Sequence, residues 1–140
     1  MRTKTLLYYS EFSMRGSVAM LLLRVVAGLA FMFHGWHKIQ NPLGWIGSEA
    51  AVPGILQALA AVSEFFGGLA WILGLLTPLA SLGILSTMSV AVFTHLSRGQ
   101  PFVGQGGSYE PALVYFSVAL LLILAGPGRI SLDARLFGKK

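Results

Sequence analysis

Hydrophobic residues gather into four long runs along the chain, separated by segments rich in glycine, proline and polar residues. The runs cover about residues 17–38, 54–76, 79–96 and 111–125. A helix needs about 20 predominantly apolar residues to cross a bilayer, and within lipid it satisfies its own backbone hydrogen bonds. The pattern therefore predicts an all-α fold, a four-helix transmembrane bundle formed by residues 17–126.

The segments outside this bundle are basic. Residues 1–16 are expected to form an N-terminal cytoplasmic or interfacial segment, and residues 127–140 a basic cytoplasmic tail. Because Lys and Arg are enriched in the short cytoplasmic segments of membrane proteins, both termini are predicted to be cytoplasmic. The second and third runs meet on that side in a minimal connection at Thr77 and Pro78. The two outer connections are longer, and longer loops more often carry a functional site.

Composition indicates that lipid is the solvent of this chain. Of 140 residues, 55% are hydrophobic and 11% are charged, whereas soluble domains average about 45–50% and about 25%. The net charge of +5 comes from Lys and Arg that border the apolar runs, which argues against the basic patch of a nucleic-acid-binding protein. The chain has no cysteine, so thiol chemistry, iron–sulfur clusters and cysteine-ligated metals are excluded.

Ionisable residues inside the apolar runs are the first candidates for function, because each costs roughly 2.5–3.5 kcal/mol near the centre of a spanning helix. Glu64 lies close to the middle of the second run. Arg24 and Lys38 share one helical face of the first run, with His34 to one side of it. Judged by depth in the membrane alone, either Arg24 or His34 could pair with the Glu64 carboxylate.

The predicted topology gathers polar residues toward the outer side, above Glu64. This arrangement predicts a polar intramembrane pocket facing outward, and the alternative is a structural cluster that only fixes helix contacts. His34 and His37 have a spacing found in metal sites on helices, but further ligands are missing, so no metal site is predicted. The catalytic candidates are Glu64, His34 and His95, and the substrate-binding candidates are Arg24, Lys38, Trp71, Tyr109 and Glu110.

Four segments resemble, in order, the signatures of the DoxX-like family of small four-helix integral membrane proteins. They are LLLRVVAG followed by FHGWHK, then SEFFGGLAWILGLLTPLA, GGSYEPAL and GPGRISLD. The resemblance covers residues 17–137. This chain departs from the family pattern by Ser108 before Tyr109 and by Pro111 after Glu110.

The resemblance implies a multi-pass protein of the cytoplasmic (inner) membrane of a bacterium or archaeon. The implied function is a membrane subunit of a quinone-linked oxidoreductase, such as thiosulfate:quinone oxidoreductase, or of an oxidative-stress redox complex. Quinone is then the implied cofactor, and a soluble or membrane oxidoreductase partner is expected to supply electrons.

A quinone site suits the residue types, because it needs hydrogen-bonding groups, a group that titrates and an apolar wall for the ring. Two other classes stay open: a structural or assembly subunit that docks a partner enzyme, and a small-molecule or proton-coupled transporter. The sequence lacks the inverted repeat typical of many transporters. Glycines on one face of the first run leave room for close helix association, including between copies of this chain.

Overall fold

The computed structural model describes residues 12–47 and 52–138, and within these ranges every regular element is helical. Residues 1–11 of the predicted N-terminal segment and residues 139–140 of the predicted tail lie outside the described residues. The helices are α1 (Met14–Gln40), α2 (Gly54–Leu73), α3 (Thr77–Ser97), α4 (Glu110–Ala125) and α5 (Leu132–Phe137).

Three of these helices, α1, α2 and α3, are long and apolar enough to cross a membrane, and α4 is a shorter apolar helix of 16 residues. Large hydrophobic side chains such as Phe33 and Phe93 are exposed on the outside of the bundle, where lipid solvates them. The all-helical membrane bundle predicted from the sequence is therefore confirmed. The cytoplasmic location of the termini stays a prediction.

Glycine sets the distance between α1 and α2. A Cβ atom at Gly28 would lie 2.6 Å from the carbonyl oxygen of Gly68, and one at Gly68 would lie 2.6 Å from the carbonyl oxygen of Gly28. Seven residues later on α1, a Cβ atom at Gly35 would lie 2.6 Å from the backbone nitrogen of Phe65. These contacts place the two helices antiparallel with their backbones touching, as small residues allow in membranes.

An aromatic column fills the interior between the helices. The Trp71 side chain is fully buried, and its Nε1 donates a 2.9 Å hydrogen bond to Ser81 Oγ on α3. The Trp71 ring meets the Phe31 ring edge-on with centroids 5.4 Å apart, and Phe31 meets Tyr115 of α4 in the same way at 4.9 Å. Such pairs stabilise a core beyond the area that they bury.

The segment after α4 folds back against the α2–α3 hairpin. Buried Asp133 of α5 accepts hydrogen bonds from the backbone nitrogens of Leu76 at 2.6 Å and Thr77 at 2.8 Å. These amides stand at the start of α3, where N–H groups have no partner within the helix and the helix dipole favours a negative charge. Asp133 also donates its own N–H to the Gly74 carbonyl oxygen at 2.8 Å. The carboxylate therefore caps α3 from a distant part of the chain.

Arg24 of α1 belongs to this same end of the bundle. Its guanidinium is completely buried, and Nη2 donates a 2.6 Å hydrogen bond to the carbonyl oxygen of Ile130. Gly74, which ends α2 with a φ of +63°, makes room for it, because a Cβ atom there would lie 1.7 Å from Arg24 Nη1. The predicted tail is thus anchored to the bundle at Ile130 and Asp133.

Replacing Asp133 by alanine removes the cap of α3, and we expect a loss of about 1–2 kcal/mol in the free energy of unfolding. The measurement is unfolding in mixed micelles of a mild detergent and sodium dodecyl sulfate. Arg135→Ala is the control, because Arg135 is exposed on the same short helix. Equal stability of the two variants would contradict the capping role.

Gly68→Ala inserts a methyl group into the α1–α2 contact, and overpacking of this kind costs about 1–3 kcal/mol. Gly106→Ala is the matched control, because a Cβ atom at Gly106 has no neighbour within 4 Å. The same unfolding assay should rank wild type and Gly106→Ala together and Gly68→Ala below both. A Gly68→Ala protein as stable as the control would show that the helices are not in backbone contact.

Candidate functional site

An ion pair links α1 to the middle of α2. Lys38 Nζ lies 2.7 Å from both carboxylate oxygens of Glu64. The Glu64 side chain is 4% exposed and that of Lys38 is 23% exposed, so the carboxylate is buried while the ammonium group reaches toward the end of the bundle. A buried carboxylate in a membrane protein needs such a partner.

The expected pairing of Glu64 with Arg24 or His34 is wrong, because Lys38 occupies that place. The reason is the antiparallel packing at Gly35, which sets the end of α1 beside the middle of α2. Arg24 precedes Lys38 by 14 residues, or about 21 Å along a helix. Its hydrogen bond to Ile130 holds it at the opposite end.

The loop between α1 and α2 covers the ion pair. Lys38 Nζ lies 4.4 Å from the centroid of the Trp45 ring, a favourable cation–π geometry. Trp45 Nε1 donates to the backbone carbonyl of Gln57 at 2.9 Å. The buried Gln57 side chain accepts from the Ile46 nitrogen at 3.1 Å and donates to the Val52 carbonyl oxygen at 2.9 Å. Gln57 therefore ties the loop to α2 at two points, Ile46 and Val52.

A cavity of about 230 Å³ lies beside the ion pair, between α1, α2, α3 and the first two turns of α4. Five polar side chains line it, and two aromatic rings form part of its wall. The polar residues are His34, Lys38, Glu64, His95 and Tyr115, and the rings are those of Phe31 and Tyr115. The cavity thus combines titratable groups with an aromatic surface.

The two histidines of the cavity have different surroundings. The His34 ring is exposed and lies 6.3 Å, centroid to centroid, from both Phe31 and Tyr115. His95 near the end of α3 is partly buried, and its Nδ1 is hydrogen-bonded to Oε1 of Gln100 in the following loop. His95 is therefore held by a side-chain partner, while His34 packs against aromatic rings.

A larger apolar groove of about 460 Å³ runs along the outside of α2 and α3. Its lining includes Phe66, Gly67, Leu82 and Gly83, and no ionisable side chain. Such a surface suits lipid chains, whereas binding sites for small molecules combine apolar walls with a few placed polar groups. The smaller polar cavity is the better candidate for chemistry.

The structure places four of the predicted site residues away from this cavity. Arg24 lies at the other end of the bundle. Trp71 stands behind the cavity wall in the aromatic core. Tyr109 lies just before α4, and the centroid of its ring is 5.4 Å from that of Phe102. Glu110 is the first residue of α4, and its backbone nitrogen donates a 3.1 Å hydrogen bond to the carbonyl oxygen of Phe102. Glu64, His34, His95 and Lys38 are brought together.

Comparison with known proteins gives the family. The DoxX family model matches residues 19–97, the part of the chain that supplies Lys38, Glu64 and His95. The chain belongs to the DoxX family. It is 31% identical to "Inner membrane protein YphA" of Escherichia coli strain K12, in an alignment that covers 92% of this chain and 98% of that protein.

Two further relatives are similarly close to this DoxX protein. "Inner membrane protein YqjF" of Escherichia coli K12 is 31% identical over 88% of this chain and 95% of its own length. "Putative oxidoreductase CatD" of Bacillus subtilis strain 168 is 30% identical over 88% of this chain and 91% of its own length. No solved structure matches. With three candidate spans, the DoxX protein is a multi-pass protein of the cytoplasmic (inner) membrane.

Sequence reasoning missed three residues that shape the site of this DoxX protein. Gln57 lies seven residues before Glu64, so it shares a face with Glu64, and a polar side chain in an apolar helix was the available signal. Trp45 and Gln100 lie in loops, where neither periodicity nor burial indicates a contact. Within residues 12–47 and 52–138, no group of three or more His, Asp or Glu side chains is arranged to hold a metal ion.

Removing one partner of the ion pair should lower the free energy of unfolding. Lys38→Met leaves the Glu64 carboxylate buried without a partner, and we expect a loss of about 3 kcal/mol in unfolding free energy. Replacing both Lys38 and Glu64 by methionine removes the unpaired charge and should restore most of that loss. The double-mutant cycle is measured by unfolding in mixed micelles. A double variant as unstable as the sum of both single variants would show that the two side chains do not act as a pair.

Proposed function

We propose that this DoxX protein is the membrane subunit of a quinone-linked oxidoreductase or oxidative-stress redox complex, in which the cavity binds the ring of a quinone or quinol. The observation that carries the proposal is the cavity itself. Between apolar helices it sets an ion pair and two histidines against aromatic rings. The name of the Bacillus subtilis relative, an oxidoreductase, supports the redox class.

The size of the cavity favours a single ring. An engineered protein cavity of about 150 Å³ binds benzene, and drug-sized ligands occupy about 300–1,000 Å³. At about 230 Å³, the cavity accepts one substituted ring but not a long hydrocarbon chain. The chain of a membrane quinone would remain in lipid, beside the exposed side of His34.

The residue types suit a reaction that couples electrons to protons. Interconversion of a quinone and a quinol moves two electrons and two protons, so the site needs groups that exchange protons with the ring oxygens. Glu64, His34 and His95 are such groups, and each lines the cavity. In this proposal the chain binds the ring and handles its protons, while a partner oxidoreductase exchanges the electrons.

A structural role is the second candidate, and one observation favours it. Both carboxylate oxygens of Glu64 are bonded to Lys38, so the pair satisfies itself and joins α1 to α2 without any ligand. Such a pair fixes which helix faces meet. In that case the protein acts as an assembly subunit, and its outer loops dock the partner enzyme.

Ligand binding by the purified protein in lipid nanodiscs tests the proposal. The probes are a benzoquinone with a decyl chain and its reduced form, detected by quenching of tryptophan fluorescence and corrected with protein-free nanodiscs. We expect Glu64→Gln and His95→Phe to bind the reduced probe at least about tenfold more weakly, since a hydrogen bond to a charged or buried partner is worth about 1.4 kcal/mol or more.

His37→Phe is the matched control, because His37 is an exposed histidine of α1 outside the cavity lining. It should bind like wild type. No saturable binding of either probe, or equal loss in His37→Phe and His95→Phe, would contradict the proposal. Unchanged binding by folded Glu64→Gln, together with lower stability, would support the structural role instead.

A further inference from the structure

We propose that the cavity selects the reduced, hydroxyl-bearing form of its ring ligand, with His95 as the hydrogen-bond acceptor that sets this specificity and Gln100 as its positioning residue. The inference rests on the ring binding proposed above and adds the chemical form of the ligand. Two independent contacts lead to it, one at His95 and the other at Lys38.

The contact of His95 with Gln100 determines which ring nitrogen carries hydrogen. Nδ1 of His95 is bonded to Oε1 of Gln100, and an amide oxygen only accepts hydrogen bonds. With the Gln100 amide oxygen facing His95, Nδ1 is the donor. In a neutral imidazole the other nitrogen is then an acceptor, so in this proposal Nε2 of the cavity-lining residue accepts the hydrogen bond of a ligand hydroxyl.

The glycine-rich loop before α4 makes room for Gln100. A Cβ atom at Gly107 would lie 2.5 Å from the Gln100 Nε2 atom, and Gly107 has a φ of +122°. The backbone conformation therefore favours glycine, and a side chain at this position would displace the Gln100 amide. The loop thus places the amide of Gln100 beside His95. This is the contribution of the glycine-rich segment to the site.

The ion pair removes the strongest donor from the cavity. Lys38 Nζ donates to both oxygens of Glu64 at 2.7 Å, and the centroid of the Trp45 ring lies 4.4 Å from Nζ. An ammonium group has three hydrogens in all. Each Glu64 oxygen keeps a second lone pair, because a carboxylate accepts about four hydrogen bonds. This side of the cavity also offers acceptors to a ligand.

These acceptors favour a hydroxyl over a carbonyl. A quinol donates its two O–H groups, whereas a quinone carbonyl only accepts and would face Nε2 of His95 or a Glu64 oxygen without a hydrogen between them. His34 and Tyr115, the other polar residues on the wall, can each donate and accept. They serve both forms alike, so discrimination depends on His95 and Glu64.

The first test is the hydrogen position on His95, read by nitrogen NMR of histidine-labelled protein in nanodiscs. The His95 signals are assigned by their loss in His95→Phe. We expect hydrogen on Nδ1 in wild type and a mixture of both tautomers in Gln100→Leu. Gln100→Glu keeps an acceptor oxygen and should restore hydrogen to Nδ1. A hydrogen on Nε2 alone in wild type would overturn the inference, whatever the protein binds.

The second test compares three ring probes under anaerobic conditions: the decyl benzoquinone, the corresponding hydroquinone and its dimethoxy ether, which lacks the hydroxyl hydrogens. We expect wild type and His37→Phe to bind the hydroquinone at least about tenfold more tightly than the other two. His95→Phe and Gln100→Leu should lose most of this preference, and Gln100→Glu should keep it.

The outcomes separate the two proposals. Equal affinity of wild type for hydroquinone and benzoquinone would overturn the selection of the reduced form but leave ring binding standing. Failure of all three probes to bind would overturn the proposed function itself. Loss of preference in Gln100→Leu without a change in the His95 tautomer would show that Gln100 does not position the histidine.

Discussion

The arrangement of this protein depends on one costly group, the carboxylate of Glu64 inside a bundle that lipid surrounds. Such a charge is stable only with a partner and with hydrogen bonds. Lys38 supplies both, with contacts of 2.7 Å to each oxygen. The helix packing then has to bring the end of α1 to the middle of α2, and the close backbone contacts of Gly28 with Gly68 and of Gly35 with Phe65 permit it.

The two ends of the bundle stabilise their buried charged groups in different ways. At one end the Asp133 carboxylate accepts hydrogen bonds from the first backbone N–H groups of α3. Arg24 at the same end donates a hydrogen bond to a backbone carbonyl oxygen. Both groups are fully buried, so this end is closed and structural. At the other end, Glu64 and Lys38 border the cavity of about 230 Å³. The difference explains why only one of the two charged clusters is a candidate site.

Much of this was predictable from the sequence, because hydrophobic run length indicates spanning helices and the cost of burial singles out Glu64. The depth of each residue in the predicted helices was enough to bring Glu64 together with His34, Lys38 and His95. Depth could not identify which residue pairs with Glu64, since it does not determine which helix faces pack together. Asp133 and Gln100 lie in segments without periodicity, and their contacts depend on chain reversals that only the three-dimensional structure contains.

The location of a bound ring is the most direct measurement of the central claim. A decyl benzoquinone with a photoreactive azide on its ring is bound to the protein in nanodiscs, illuminated, and the labelled peptides are identified by mass spectrometry. The account predicts labelling at the cavity wall, in the segments around Phe31, His95 and Tyr115, and competition by the unmodified ring. Labelling confined to the outer groove of α2 and α3, around Phe66 and Leu82, would contradict it.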